Sequence, residues 1–461
     1  MTSILLNADS YKASHFKQYP PGTQYVSSYI EPRGSKTLPK CVFFGLQVFL
    51  KEVLSKPITQ SEINEAEAFF KQHGVPFNKE GWQYILDQHQ GFLPLYVQAL
   101  PEGSVVDMST PVVQVSNSDP NCFWLTSYVE TAILRAVWYP STVASLAYAC
   151  RQVIKTGMEV SCETLDKLPF MLNDFSFRGV SSQESAGLGG AAHLLSFQGT
   201  DNIAGILTAQ KYYNTAEMLG FSIAASEHST ITSWGRDNES QAYSNMLIQF
   251  SKPGALVAVV SDSYDLFNAI TNIWGTELKQ QIIESGGTLV VRPDSGIPEE
   301  IVPKCLYLLA DKFGYTMNSK GYRVLPSYVR LIQGDGINLQ SLTTIINAIH
   351  DAGFSLDNVA FGMGGGLLQQ VDRDTQQWAM KCSAVQVNNL LRDVYKDPIT
   401  SSAKRSKKGV LAVIKEDGVF KSIKKDDLAN DVQHNWLEPV FIDGHLLVED
   451  DFSTIKSRLH P

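Results

Sequence analysis

The sequence has few cysteines, no excess of positive charge and no long apolar run. Its six cysteines in 461 residues show no paired CxxC spacing, which argues against a disulfide framework and a cysteine-rich zinc site. The formal net charge of −9 disfavours general nucleic-acid binding, which draws on a basic surface. No apolar stretch approaches the roughly 18 residues that span a membrane, and the N-terminal segment does not resemble a signal peptide. We expect a soluble cytoplasmic protein with reduced thiols that binds neither nucleic acid nor membrane.

Common nucleotide-binding motifs are also missing. The chain has no GxxxxGK[ST] loop, and the glycine run 362–366 lacks the third glycine of GxGxxG. A P-loop ATPase or a Rossmann dehydrogenase is therefore disfavoured. The composition is that of an ordinary globular protein, with 18% charged and 44% hydrophobic residues, and the length allows two or three domains.

Polar clusters follow a series of apolar, strand-like runs between residues 170 and 370. The successive runs and clusters are Phe170–Asp174 with Phe175–Gly179, Phe221–Ser226 with Glu227–Thr230, Leu256–Ser261 with Asp262–Asp265, Thr288–Val291 with Arg292–Gly296, Val329–Ile332 with Gln333–Gly336, and Val359–Phe361 with Gly362–Gly366. In a barrel of parallel strands, all such strand ends lie at one mouth. We therefore expect these clusters to face one cavity.

Strand and helix patterns alternate from 166 to 384, which indicates parallel βαβ units. The helix candidates are Gln183–Leu195, Ile203–Tyr212, Glu239–Phe250, Tyr264–Ile273, Glu299–Phe313 and Leu339–Ala352. A barrel and an open sheet both fit, and we favour an irregular (β/α) barrel of mostly parallel strands because polar clusters follow every strand. Residues 1–165 predict a second, α+β domain. The segment 385–461, with a predicted hairpin at 410–423, is expected to return to that domain and complete it.

Two glycine clusters, 334–336 and 362–366, follow consecutive late strands. Glycine lets backbone N–H groups approach an anion, so the clusters predict a phosphate site, although tight turns also select glycine. Arg292 and Asp294 follow the preceding strand. The guanidinium suits phosphate oxygens, and the carboxylate could bind ribose hydroxyls or hold Mg²⁺ together with Asp262. A structural ion pair is the alternative.

His228 stands beside Glu227 at a strand end, where a carboxylate could orient a reactive imidazole. A buried, hydrogen-bonded core histidine is the alternative. Phe175 could stack on a flat heterocycle or simply pack in the core. Asp201 could be a helix N-cap. The basic loop 404–408, with Lys381 and Lys396 nearby in sequence, is either a solvated face or a rim that gathers anions.

Taken in order, these motifs resemble the nicotinamide phosphoribosyltransferases, a family of type II phosphoribosyltransferases, over essentially the whole chain. The matching stretches are Asp9–Lys12, Phe177–Glu184, Gly199–Asp201, Glu227–Thr232, Val260–Asp265, Arg292–Gly296, Ile332–Gly336, Gly364–Gln369 and Lys404–Gly409. The resemblance implies an α/β barrel with a second domain, and a homodimer with active sites at the subunit interface. The implied reaction joins nicotinamide to 5-phosphoribosyl 1-diphosphate, giving nicotinamide mononucleotide and diphosphate for NAD salvage. It requires Mg²⁺ and is driven by ATP through phosphorylation of His228.

The resemblance also implies roles for individual residues. The pyridine ring would lie between Phe175 and Tyr11 of the partner subunit, the latter within the Asp9–Lys12 motif. The residues implied around the carboxamide are Asp201 and Arg292. Those implied at the ribose are Asp294, Gly334 and Asp335, and those at the 5′-phosphate are Gly364, Gly365, Arg373 and Lys381. The residues implied at the diphosphate are Arg33, Arg178, Lys396 and Lys404, and those beside His228 are Glu227 and Asp262.

Three positions depart from the family pattern: Ala379 replaces a phosphate-contacting serine, Ser176 a glycine and Met363 a serine. None removes a charged group. The nearest rival function is nicotinate phosphoribosyltransferase, and Asp201 distinguishes the two because a carboxylate repels nicotinate but accepts an amide N–H. A rival of another class is a signalling or scaffold protein that keeps the fold without activity.

Overall fold

The computed structural model describes residues 3–400, 405–429 and 433–460. The chain divides into two compact units. The first comprises the described parts of Met1–Ser145, Ala209–Thr215 and Asp372–Pro461, and the second comprises Leu146–Thr208 and Ala216–Val371. The predicted boundaries after residues 165 and 384 differ from these, because one junction falls inside the long helix Glu130–Ser161 and residue 384 falls inside a strand of the first unit.

The strands in chain order are β1 Thr23–Glu31, β2 Lys40–Val42, β3 Leu95–Ala99, β4 Val105–Asp107, β5 Val113–Asn117, β6 Leu172–Asp174, β7 Gly199–Thr200, β8 Ala224–Ala225, β9 Leu256–Val260, β10 Thr288–Arg292, β11 Thr316–Met317, β12 Arg323–Val324, β13 Val329–Gln333, β14 Val359–Met363, β15 Ala379–Val387, β16 Leu390–Asp393, β17 Leu411–Glu416, β18 Val419–Lys424, β19 Glu438–Ile442 and β20 His445–Leu446. The α-helices are α1 Leu46–Phe49, α2 Gln60–His73, α3 Lys79–Gln88, α4 Leu125–Tyr128, α5 Glu130–Ser161, α6 Gln183–Leu194, α7 Ile203–Tyr212, α8 His228–Thr232, α9 Glu239–Phe250, α10 Leu266–Asn268, α11 Lys279–Ser285, α12 Pro298–Phe313, α13 Leu339–Asp351, α14 Gly365–Leu368 and α15 Phe452–Leu459. Within the described ranges, no helix combines the length and apolarity needed to cross a membrane.

The first unit is built on a seven-stranded sheet in the order β16-β15-β1-β5-β3-β19-β20, with antiparallel pairing throughout. Strands from the C-terminal part, β15 and β19, therefore pair with the N-terminal strands β1 and β3. Its core includes Trp82, Trp124 and Tyr128, whose rings meet edge to face at centroid distances of 4.9 to 5.9 Å. Such aromatic pairs contribute about 0.5–1.5 kcal/mol each beyond burial. The predicted hairpin at 410–423 is confirmed as β17 and β18.

The second unit is built on a seven-stranded parallel sheet in the order β7-β6-β14-β13-β10-β9-β8. Phe221, which precedes β8, makes a parallel bridge with Gly199 in β7. The two ends of the strand order are therefore linked through one segment, and the sheet curls. This curled parallel sheet, together with the antiparallel sheet of the first unit, confirms the predicted α/β class.

The helices between the parallel strands follow from their apolar periodicity. In α13, Asn338 caps the first turn through its side chain, and Leu342, Ile345 and Ile349 are fully buried at helical spacing. Burial of such a side chain contributes about 1.5–3 kcal/mol. The helix predicted at 264–273 is longer than expected, because α10 begins at Leu266 and continues as a π-helix over Ala269–Glu277.

Candidate active site

The parallel strands of the second unit present an inner layer of small apolar side chains. Ala258, Val290 and Ile332 form a buried cluster, and Phe175 and Ala360 pack against it. Neighbouring residues in parallel register face the same side of a sheet, which is how three separate strands contribute to one layer. The residues that follow these strands lie at the carboxyl edge above this layer.

At this edge, the imidazole of His228 meets two carboxylates. Its Nε2 lies 3.0 Å from Oδ1 of Asp262, and its Nδ1 lies 3.9 Å from Oδ2 of Asp294. The second oxygen of Asp262 accepts the backbone N–H of Asp294 at 3.0 Å and the hydroxyl of Ser295 at 2.5 Å. Both oxygens of Asp262 are thus occupied by protein donors, whereas the Asp294 side chain is one-third exposed. His228 is 46% exposed, so it is not a core histidine.

Glu227 forms hydrogen bonds with the first turn of α8 and not with the imidazole of His228. Its carboxylate accepts the hydroxyl of Ser229, and its backbone N–H donates to the hydroxyl of Thr230 at 3.2 Å. These contacts fix the first turn of α8 and therefore the position from which His228 projects. The carboxylate predicted to orient His228 therefore bonds the helix start, and the carboxylate in hydrogen-bond contact with the imidazole is that of Asp262.

The ring of Phe175 lies against one glycine of each cluster that was predicted to bind phosphate, Gly334 and Gly362. A methyl group placed on Gly334 would lie 3.3 Å from the ring, and one on Gly362 would lie 2.0 Å from it. The backbone N–H of Phe175 donates to the carbonyl of Met363 at 3.0 Å. Gly334 and Gly362 therefore leave space for an aromatic ring. This explains glycine at both positions without requiring that an anion approach the backbone there.

Gly364 and Gly365, which were predicted to bind phosphate, lie at the start of α14. Gly365 opens α14, and a methyl group on Gly179 would lie 3.5 Å from its backbone nitrogen. Asp335 is exposed, while its backbone carbonyl accepts the side-chain amide of Gln333 at 2.8 Å. The second glycine cluster thus lies close to Gly179, and the first carries an exposed carboxylate, that of Asp335.

Asp201 is exposed, and its carboxylate accepts the hydroxyl of Ser222. The backbone N–H of Asp201 donates to the carbonyl of Asp174 at 3.0 Å. Asp174 is fully buried, and its carboxylate accepts both the N–H and the hydroxyl of Ser176. The serine that replaces a glycine in the family pattern is therefore fully bonded within this turn.

Two arginines complete this edge. Arg178 lies exposed in a short 3-10 turn, Phe177–Gly179. Arg292 ends β10 and is half-buried, and among the described residues its buried Nε has no hydrogen-bond partner. A buried donor without a partner is costly, so this guanidinium suits an acceptor on a ligand.

In the first unit, cations interact around Lys381. Burial lowers the pKa of the Lys381 ammonium from its ordinary value, Glu130 opposes that change, and the positive charges of Arg33, Lys396 and Arg373 lower it further. Mutual repulsion within such a group favours an anionic ligand. Three other predicted phosphate-binding cations, Arg33, Arg373 and Lys396, therefore act on Lys381.

The basic loop is largely paired with carboxylates. Arg405 donates two bonds of 3.0 Å to Asp397, and Lys407 lies 2.7 Å from Glu31. Lys404, which was predicted to contact diphosphate, lies outside the described residues. For Arg405 and Lys407, these pairs with carboxylates argue against an anion-gathering rim.

The predicted base-stacking Tyr11 lies on an anchored segment. Lys12 is 5% exposed and forms an ion pair with Glu130, while Asp9 accepts the hydroxyl of Thr131 at 2.8 Å and donates its N–H to the same oxygen at 3.0 Å. Tyr11 itself is 58% exposed. The start of α5 thus holds this segment in place and leaves the ring of Tyr11 accessible.

The sequence did not single out Ser222 or Ser295, although both bond site carboxylates. Ser295 lay inside the Arg292–Gly296 motif, so its place next to Asp294 was an available signal. Ser222 precedes β8, a strand of two residues, and no motif marks it.

Comparisons with known proteins identify the family of this chain. The pattern of the nicotinate phosphoribosyltransferase (NAPRTase) family matches residues 170–439, and that of the nicotinamide phosphoribosyltransferase N-terminal domain matches residues 3–97. The chain is 50% identical to a nicotinamide phosphoribosyltransferase of Xanthomonas campestris pv. campestris, covering 99% of this chain and 98% of that protein. It is 32% identical to one of Acinetobacter baylyi, covering 98% and 96%. The crystal structure of nicotinate-nucleotide pyrophosphorylase from Pyrococcus furiosus matches the fold, with a TM-score of 0.62 at 16% identity over 99% of this chain and 94% of that one.

The fold and the matched family pattern define a phosphoribosyltransferase, an enzyme of the pentosyltransferase class. Because the sequence identity to the Xanthomonas relative reaches half over nearly the whole length, the chain belongs to the nicotinamide phosphoribosyltransferase family. The family predicted from the motifs is confirmed.

Proposed function

We propose that the protein joins nicotinamide to 5-phosphoribosyl 1-diphosphate and releases nicotinamide mononucleotide and diphosphate, a step of NAD salvage. The observation that carries the proposal is one sheet edge that holds an aromatic ring, a His–Asp pair, and a buried guanidinium donor that has no partner in the part of the chain that the structure describes. Similarity to relatives of that name supports it. The proposed salvage reaction and the six free cysteines are both consistent with a location in the cytoplasm.

The base would lie on the ring of Phe175, with Tyr11 of the partner subunit on its other face. The exposure of Tyr11 and its anchored segment support a homodimer with shared active sites. Asp201 would accept the carboxamide N–H, and Arg292 would donate to the carboxamide oxygen or to a neighbouring phosphate. Nicotinamide is a weak neutral nucleophile, so holding its ring nitrogen against the sugar carbon lowers the barrier.

In the transfer step, the lone pair of the pyridine nitrogen forms a bond to C1 of the ribose while the bond from C1 to diphosphate breaks. The electron pair leaves with diphosphate, and no proton has to move. Negative charge develops on the leaving group, where Arg178 with Arg33, Lys396 and Lys404 would stabilise it. Asp294, Gly334 and Asp335 would contact the ribose, and Gly364, Gly365, Arg373 and Lys381 would hold the 5′-phosphate.

Mg²⁺, when bound, would neutralise diphosphate charge and favour its departure. Carboxylate oxygens are suitable ligands, and the partly exposed Asp294 fits direct coordination. Both oxygens of Asp262 are engaged by His228, Asp294 and Ser295, so Asp262 fits an indirect role.

ATP would act through His228. The γ-phosphoryl group of ATP would transfer to an imidazole nitrogen with release of ADP, and water would later hydrolyse the P–N bond. Asp262 holds Nε2, which leaves Nδ1 as the nitrogen free to attack. The buried Asp262 would also stabilise the positive charge that develops on the ring.

The test is an assay of the purified protein with phosphoribosyl diphosphate, ATP, Mg²⁺ and either nicotinamide or nicotinate. We expect nicotinamide mononucleotide, identified by mass spectrometry, at a higher kcat/KM than the nicotinate product. Faster use of nicotinate would replace the proposal with nicotinate phosphoribosyltransferase. No product from either base would favour a protein that keeps the fold without the activity.

A further inference from the structure

Gly362 stands where any other residue would collide with the ring of Phe175. A Cβ atom built at Gly362 lies 2.0 Å from Cε2, 2.2 Å from Cδ2 and 2.8 Å from Cζ of that ring. Real Cβ contacts essentially never fall below 3.0 Å, so either the ring or the strand would have to move. The ring therefore packs directly against the backbone of β14, in the space that a side chain at position 362 would occupy.

The backbone conformation of Gly362 does not itself require glycine. The residue lies inside β14, pairs with Asn173 in β6, and is not among the glycines with positive φ. An alanine could adopt this backbone, because it has no positive φ. The three atoms nearest to its Cβ would all belong to the ring of Phe175, so the need for glycine is steric.

Phe175 cannot move away as a whole. Its backbone N–H bonds the carbonyl of Met363 at 3.0 Å, and its neighbours Asp174 and Ser176 are fully buried and bonded to each other. On the sheet side, the ring packs on the layer that includes Ile332. With the backbone of Phe175 held, a collision could be relieved by rotation of its side chain or by a shift of β14.

We propose that Gly362 is a positioning residue that sets the depth of the Phe175 ring and thereby the floor of the nicotinamide pocket. This inference rests on the proposed function, in which that ring stacks on the base. An alanine at 362 would push the ring into the space of the pyridine. Loss of a good stacking geometry corresponds to about a 3- to 10-fold weaker interaction.

The test is a double-mutant cycle with wild type, Gly362→Ala, Phe175→Ala and the double variant. With Phe175 present, Gly362→Ala should raise the KM for nicotinamide about 3- to 10-fold and leave the KM for phosphoribosyl diphosphate within about twofold. With Phe175 already replaced, it should add less than about a twofold change. Gly157→Ala, whose Cβ would lie 2.7 Å from Cγ2 of Ile346, is the control for a steric clash away from the ring and should leave the KM for nicotinamide unchanged.

An equal rise in the nicotinamide KM in both backgrounds, or no rise with Phe175 intact, would overturn the inference. If Gly362→Ala fails to fold, the double variant should fold, because it lacks the ring that the alanine would meet. A double variant that also fails to fold would contradict the inference. Melting temperatures of the four ligand-free proteins give a cycle that does not depend on activity. If the wild type is inactive but the four melting temperatures show coupling between Gly362 and Phe175, the proposed function is rejected and the steric relationship stands.

Discussion

His228 and Asp262 form a pair in which an exposed imidazole rests on a buried carboxylate. The contact from Nε2 to Oδ1 is 3.0 Å, and the side chains are 46% and 4% exposed. Ser295 and the backbone of Asp294 hold the second carboxylate oxygen. The carboxylate is thus fixed from two sides, so it can orient the ring without losing its own hydrogen bonds.

Removing His228 should abolish the stimulation of mononucleotide synthesis by ATP, because the imidazole is the proposed phosphoryl acceptor. We expect His228→Ala to give the same rate with and without ATP. His434→Ala is the matched control, since His434 makes a 3.0 Å contact with Glu438 and is exposed. Stimulation that survives in His228→Ala would rule out phosphorylation at this residue.

Asp262→Asn should weaken ATP stimulation about 10- to 100-fold, because an amide cannot stabilise a positively charged imidazole. The fold should persist, since an asparagine can still accept the Ser295 hydroxyl and the Asp294 N–H. The measurement is ATP-dependent labelling of the protein from γ-³²P-ATP, alongside the melting temperature. Undiminished labelling would show that Asp262 does not assist the histidine.

Asp201→Asn should shift base preference from nicotinamide towards nicotinate. The change removes a negative charge that repels the nicotinate carboxylate and accepts the amide N–H. We expect the ratio of kcat/KM for the two bases to change by about tenfold or more, and Ser222→Ala to change it in the same direction but less, because Ser222 only positions Asp201. An unchanged ratio in Asp201→Asn would refute its role.

Mixing Tyr11→Ala protein with His228→Ala protein should restore ATP-stimulated activity if sites are shared between subunits. Each mixed dimer would contain one native site, built from the intact Tyr11 of one chain and the intact His228 of the other. Random exchange would give about a quarter of the ATP-stimulated activity of wild type. Mass spectrometry of intact dimers should verify exchange, and a mixture that exchanges without regaining stimulation by ATP would contradict shared sites.

Glu102 should make stability depend on pH independently of catalysis. Its buried carboxylate accepts the N–H groups of Gly45 and Gln47 at 3.1 and 2.7 Å and the hydroxyl of Tyr213 at 2.9 Å. Burial nevertheless raises the pKa of Glu102 to about 7 from an ordinary value of 4.5. Because the folded-state pKa is the higher one, the folded state binds more protons between these values and loses stability as pH rises through them.

The free energy of unfolding of wild type relative to Glu102→Gln should accordingly fall by on the order of 3 kcal/mol from pH 4.5 to pH 7. Denaturant unfolding of both proteins across that range gives the difference directly. A difference that stays constant with pH would contradict a raised pKa at Glu102.

The sequence predicted the parallel units well because each strand is a continuous apolar run followed by a polar cluster. β9, β10, β13 and β14 all lie where expected. β7 was missed because two residues carry no periodicity, and β8 is shorter than its predicted run. The predicted barrel segment ends at residue 384, inside β15, because only the pairing of this strand with β1 shows which sheet it joins.

In the site, the sequence anticipated the meeting of His228, Asp262 and Asp294, because ends of parallel strands converge whatever their separation along the chain. It did not anticipate the contact between Gly362 and Phe175, which depends on how far one ring reaches across two strands. The role of a glycine cluster that resembles a phosphate loop can therefore be assigned only when the packing of the neighbouring side chains is known.

The most direct test of the proposed site is a crystal structure of the protein with nicotinamide mononucleotide and diphosphate. We predict that the pyridine ring stacks on Phe175, with its carboxamide at Asp201 and its phosphate at Gly364 and Gly365. Density for the mononucleotide away from the carboxyl edge of the parallel sheet, on a chain without a partner subunit, would contradict the account.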